Sequence, residues 1–247
     1  MTMTTWPTRH DERHPEALRP LEIIPGAVPY AEGSALIKLG DTHVLCAASV
    51  DENVPRWLHN KGRGWVTAEY AMLPRATKSR TPRSTSTGKQ DGRAVEIQRL
   101  IGRSLRAVTN LEALGERQII VDCDVIQADA GTRCAAISGG YVALAIACRK
   151  LLADRKIKRN PLDSAVAAIS VGMVRGVPLL DLDYPEDSAA DVDFNVVMTN
   201  QHTFVEIQGT AERAPFTPGT LDEMLTLAST GLDAIFAAQS AAIGAGF

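Results

Sequence analysis

Hydrophobic periodicity along this 247-residue chain predicts an α+β fold. Two observations carry that reading. Short segments alternating apolar and polar residues read as strands, and three longer segments with apolar residues every three to four positions read as helices. Their order is three strands, helix, strand, helix, four strands, helix. Strands that come in runs separate this pattern from a doubly wound α/β sheet. A polar stretch broken by Pro161, residues 154–163, divides the chain into halves 1–155 and 156–247, which would meet across a cleft.

Residues 1–33 read as irregular, rich in Pro and charge. Strands at 34–39 and 42–50 are joined by Gly40-Asp41, a two-residue hairpin turn. A third strand covers 65–73, and 75–90 is a long polar loop. The first helix spans 92–109, with Ala94, Ile97, Ile101, Leu105 and Val108 on one face. A strand at 119–126 leads into a helix at 133–152. That helix carries Ile137, Tyr141, Leu144, Cys148 and Leu151 on one side, and its Ala135, Ala136, Gly139 and Gly140 would admit a closely packed backbone. Beyond the boundary, 166–174 and 177–182 pair over Arg175-Gly176, and 191–199 pairs with 203–208. The last helix starts near Pro218, where Thr220 and Glu223 have capping-box spacing; Leu221, Leu225, Ala228, Leu232, Ile235 and Gln239 follow at helical period.

Composition excludes several classes. Apolar content of 45 % and a net charge of −3 describe an ordinary globular chain with no global polyanion signature. No apolar run reads as a membrane span, and the first twenty residues lack the apolar core of a signal peptide. Cys46, Cys123, Cys134 and Cys148 form no C-x-x-C pair, so buried free thiols in a reducing cytoplasm are expected.

The charge map is uneven. Residues 75–106 hold nine Lys or Arg, among them Arg75, Arg80, Arg83, Arg93 and Arg99, against Asp91 and Glu96. Arg99, Arg103 and Arg106 share a helical face. A flexible basic segment of this kind suits a polyanion such as RNA, or else a solvated face with salt bridges to its neighbours. Residues 181–193, DLDYPEDSAADVD, carry six acids and no base. Clustered carboxylates repel unless a cation joins them, and oxygen ligands suit Mg²⁺ or Mn²⁺; an acidic surface loop is the alternative. Between these lies Gly131-Thr132-Arg133. A glycine turn into a helix leaves backbone N–H groups free at the positive end of the dipole, with an arginine beside them, an arrangement suited to phosphate. Arg133 could instead pair with Asp129. The five histidines have no metal spacing. Lys89 follows Gly88, but Gln90 stands where an ATP loop needs Ser or Thr. Trp57 and Trp65 flank basic residues and could stack on bases, with packing as the other reading.

These motifs occur together in a known family. RHDERHPEALRP (9–20), GWVTAEYAMLPRAT (64–77), GRAVEIQRLIGRSLRAV (92–108), DCDVIQADAGTR (122–133), LDLDYPEDSAADVDFNVVMT (180–199) and VEIQGTAE (205–212) resemble, in that order, the bacterial ribonuclease PH family. The resemblance implies two βαβα-like halves packed into one subunit and a homohexameric ring, a trimer of dimers. It implies phosphorolysis: inorganic phosphate attacks the last phosphodiester of an RNA 3′ end, especially of tRNA precursors, and a nucleoside diphosphate leaves. The reverse reaction adds nucleotides. By the same resemblance Arg93, Gly131, Thr132 and Arg133 bind phosphate, and Asp187 and Asp193 are catalytic and hold Mg²⁺ (or Mn²⁺), with Asp191 a third carboxylate. Arg75, Arg80, Arg83 and Arg99 would meet the RNA. Glu12 departs from the pattern, standing where glycine is expected. A silent RNA-binding ring subunit would not need Arg93, Arg133, Asp187 and Asp193, and a small-molecule phosphotransferase would need the glycine-rich ATP loop that is missing.

Overall fold

Gly40, at φ +54°, turns the chain between β2 (Gly33–Leu39) and β3 (Thr42–Asp51), as the hairpin signal predicts. The structure is a computed structural model that describes residues 9–83, 91–213 and 215–244. The far part of the polar loop, with Gly88, Lys89 and Gln90, lies outside the described residues.

β1 (Leu21–Pro25), β2, β3, β4 (Trp65–Met72) and β5 (Gln118–Gln127) form a five-stranded sheet in the order β1-β2-β3-β5-β4. β4 and β5 run parallel, so α1 (Gly92–Ala107) with the short α2 (Leu111–Leu114) makes the crossover. β6 (Val166–Val174) and β7 (Val177–Leu180) turn over Arg175 and Gly176, at φ +52° and +77°, the left-handed pair a two-residue hairpin needs. With β8 (Val192–Thr199) and β9 (Phe204–Ala211) they form an antiparallel sheet in the order β7-β6-β8-β9.

α3 (Thr132–Ala153) is the axis of the molecule. It packs on β2 and β3 with one side and on β6 with another. Its apolar positions encircle it because both sheets cover it, which is why the one-sided stripe read from the sequence understates its burial. By length and composition α3 could cross a membrane, yet 78 % of its apolar window is buried inside the protein, the state of a core helix. Gly139 supplies the predicted close approach: a Cβ there would lie 2.7 Å from Ile37 Cγ2. All four cysteines are free and buried.

Three local readings are corrected. The N-terminal segment is not irregular throughout, since LEIIP pairs with β2 as an edge strand. A four-residue helix, α4 (Tyr184–Asp187), interrupts the acidic stretch behind a capping box of Asp183 and Glu186. The last helix, α5 (Pro218–Ile243), is capped by Thr217, whose side chain accepts from Thr220 N–H; Pro218 occupies the first helical position and moves the cap upstream. Glu12 has φ +62°, the left-handed region that glycine favours. The backbone path is therefore kept where the expected glycine is absent, at a cost of about 1–2 kcal/mol.

Candidate active site

The turn from β5 into α3 is built to expose its N–H groups. Ala130 and Gly131 have φ +56° and +64°, and no side chain caps the helix. Thr42 Oγ1 braces the turn by donating to the Ala130 carbonyl at 2.6 Å and accepting from Asp129 N–H at 3.0 Å. Thr132 Oγ1 lies 2.8 Å from the buried Tyr70 phenol oxygen. Arg133 is held in place by Gln208 Oε1 and, at 3.3 Å, by Glu96 Oε1. Its partner is not Asp129, as the structural alternative had it: that carboxylate belongs to Arg19.

Arg93 opens α1, where its N–H donates to the cap residue Asp91. It lines a polar cavity of about 440 Å³ together with Asp187, Ser188, Ala190, Asp193, Glu212 and Arg213. Burial raises the Asp187 carboxyl, while the charges of Arg93 and Arg133 pull it down. Asp193 is pushed up to about 6, first by burial and then by the charge of Asp187, with Arg133 and Arg93 opposing. Its Oδ1 is buried without a hydrogen-bond partner among the described residues. The charges of both arginines thus act on both carboxylates, while Gly131, Thr132 and Arg133 do not themselves line the cavity. Two other cavities lack this facing of charges: one of about 260 Å³ beside Tyr141 and Gln239 has Asp163 as its one charged lining residue. In the other, of about 210 Å³, Arg9 and Glu186 neutralise each other.

The acidic cluster is smaller in space than in sequence. Asp181 is fully buried against Arg19, with Nη2–Oδ1 at 2.7 Å, and Arg9 grips Glu186 through two bonds of 2.7 and 2.6 Å. Asp183 caps α4 and lies 3.3 Å from His10. Asp191, expected as a third ligand, does not line the cavity; it accepts from Arg175 N–H and faces Arg213 at 3.7 Å. Glu212 takes that place. Among the described residues, the group of three such side chains whose ligand atoms converge within 4.8 Å is His10, Asp11 and Glu186. Both Glu186 oxygens are already committed to Arg9, so that group is an ion-pair cluster.

The basic residues divide likewise. Arg103 pairs with Glu206 at 2.8 Å, and Arg106 stacks 4.3 Å over Trp65 while donating to the Val66 carbonyl, so two of the three arginines on that face of α1 are structural. Arg99 is exposed. Trp57 packs edge-on against Trp65 at 4.9 Å. Arg75, Arg80 and Arg83 are exposed on the loop, whose base is tied to the site by Ala128 N–H donating to the Ala76 carbonyl.

Comparison with known proteins agrees with this geometry. Residues 17–150 match the model of domain 1 of the 3′ exoribonuclease family, and 164–231 match domain 2. The chain belongs to the 3′ exoribonuclease family. A ribonuclease PH from Neisseria meningitidis serogroup C is 56 % identical over 94 % of this chain and 96 % of its own length. One from Solibacter usitatus is 56 % identical over 91 % and 94 %. A chain of the Archaeoglobus fulgidus exosome with RNA bound to the active site superposes with a TM-score of 0.78 at 21 % identity, covering 93 % of this chain and 91 % of that one, a likeness of fold. As a family member the protein is a phosphorolytic 3′-to-5′ exoribonuclease with phosphate as co-substrate.

Sequence reasoning missed Arg19, Tyr70, Gln208 and Glu212. All four lie inside the family-like segments 9–20, 64–77 and 205–212, but nothing local marks any of them as part of a site.

Proposed function

We propose that the protein trims 3′-terminal nucleotides from tRNA precursors in the cytoplasm as a homohexameric ring (a trimer of dimers), with Mg²⁺ or Mn²⁺ at its acidic pair. The observation that carries the chemical reading is Arg93, Asp187 and Asp193 around one cavity, with Arg133 within electrostatic reach of both carboxylates.

Phosphate is a poor nucleophile that repels the diester it attacks. Arg93, Arg133, the Thr132 hydroxyl and the free N–H groups after Gly131 neutralise it and hold it in line. One phosphate oxygen bonds to the terminal phosphorus, the bond to the 3′-oxygen breaks, and a nucleoside diphosphate leaves. The shortened RNA keeps a 3′-hydroxyl. Its proton is the one the attacking hydrogen phosphate carries, so the step balances with both carboxylates ionised. The orphaned Asp193 Oδ1 and the all-oxygen donor set fit a hard cation held by Asp187 and Asp193. Such an ion, when bound, supplies positive charge against the scissile phosphate. Exposed Arg75, Arg80, Arg83 and Arg99 meet the RNA backbone. Self-association is supported by the edge strand β9, where Phe204 and Ile207 are 48 % and 42 % exposed, and by the exosome assemblies from which chains of this fold come.

The test is an RNA with a tRNA-like end and extra 3′ nucleotides, incubated with and without phosphate and with a divalent-ion chelator. Nucleoside diphosphates should form with phosphate and a divalent ion and stop when either is withdrawn. Monophosphates formed without phosphate would refute phosphorolysis, and full activity in chelator would refute the metal.

A further inference from the structure

The buried Tyr70–Thr132 pair fixes which way a hydrogen points. Tyr70 sits near the end of β4, 6 % exposed, and its phenol oxygen lies 2.8 Å from Thr132 Oγ1, across 62 residues of sequence. One hydrogen lies between the two oxygens, and either hydroxyl could supply it. Three features select the phenol. A phenol, with pKa near 10, is a more acidic and therefore better donor than an aliphatic alcohol. Thr132 is the phenol's one hydrogen-bond partner among the described residues, so a phenol that accepted from Thr132 would keep its own hydrogen unpaired in a buried place. Thr132, at the first position of α3, directly follows the uncapped Gly131 and has an anion to donate to when phosphate is bound. Arg93 and Arg133 both lie within electrostatic reach of the phenol.

We propose that Tyr70 is a positioning residue for the attacking phosphate: its phenol donates to Thr132 Oγ1 and leaves the Thr132 hydrogen free to point at the anion. The proposal rests on reading 131–133 as the phosphate site. Tyr70 itself touches neither phosphate nor RNA. The chain of bonds runs phenol to threonine to phosphate, each hydroxyl donating once. It sets Thr132 as a donor before phosphate arrives, so no reorientation accompanies binding.

Steady-state kinetics on Tyr70→Phe, Thr132→Val, Thr132→Ser and the Tyr70→Phe/Thr132→Val pair test this. Tyr70→Phe should raise the phosphate KM about two- to tenfold, the scale of one hydrogen bond between neutral groups. kcat at saturating phosphate should stay within about twofold, and the KM for RNA should not change. Thr132→Val should raise the phosphate KM at least as much, Thr132→Ser should not, and Tyr70→Phe should add nothing on the Thr132→Val background. A phosphate KM unmoved by Thr132→Val would overturn the phosphate-site reading itself. A KM raised by Thr132→Val but not by Tyr70→Phe would overturn this proposal alone. So would equal effects of Tyr70→Phe with and without the Thr132 hydroxyl, because packing rather than the hydrogen bond would then be responsible.

Discussion

Asp193→Asn should lose phosphorolysis by a factor on the order of a thousand and gain stability. Both effects have one cause. Burial, and then the charge of Asp187, raises the carboxyl from the ordinary carboxylate range to about 6. The folded protein therefore binds this proton more tightly than the unfolded chain does. Stability from this group is full below about pH 4 and is lost as pH rises through about 6. Above that the ionised group costs the fold on the order of 3 kcal/mol, less where water reaches the cavity. The amide has the same shape without the charge. Urea titrations in chelator and without phosphate should show wild-type stability falling between about pH 4 and pH 6 relative to the variant, and the variant more stable at pH 7.5. A variant no more stable than wild type at pH 7.5 would contradict the strained carboxylate. Near-normal turnover would contradict its role.

Arg19→Ala should destabilise the protein by about 3–5 kcal/mol, because it leaves the fully buried Asp181 carboxylate without its main counter-charge. Arg19 Nε and Nη2 hold Asp181 at 3.0 and 2.7 Å, and Nη1 donates to the Asp129 carbonyl. Asp129 precedes the 131–133 turn by two residues, and Asp181 opens the acidic segment. One side chain thus ties both walls of the site together. Arg13 lies 3.8 Å from Asp181 but is shared with Asp11, Asp183 and Glu186. An apolar pair, Arg19→Met with Asp181→Leu, should recover part of the stability, since both partners of the ion pair go together while Leu is strained at φ +54°, but should not recover activity, since the tie is gone. Chemical denaturation and single-turnover assays read both. A loss below about 1 kcal/mol in Arg19→Ala would show that the ion pair does not hold the fold.

What the sequence revealed follows from the range over which each signal acts. The turns at Gly40 and at Arg175-Gly176 were legible because the residues that bend the chain are the ones that occupy the bend. The uncapped helix start at 131–133 was legible for the same reason: glycine, helix start and arginine are consecutive. β1 was not, because its five residues pair on one side only and end in Pro25. The acidic segment misled by counting charges along the chain. Arg9 and Arg19 neutralise Glu186 and Asp181 from 177 and 162 residues away, and no local pattern announces such a pairing. Asp191 has the same strand parity as Asp193, but its carboxylate is taken up by the β6–β7 turn. Glu212 enters the cavity from the end of β9, a position that depends on the register of two strands rather than on any motif.

The central claim is that the 131–133 turn and Arg93 seat the attacking phosphate. The direct measurement is the single-turnover rate against phosphate concentration for Arg133→Ala and Arg93→Ala, with RNA affinity measured in parallel. Half-saturation should move upward by at least about a hundredfold in each variant, or saturation should disappear, while RNA still binds within a few-fold. Half-saturation at the wild-type phosphate concentration in either variant would contradict the account.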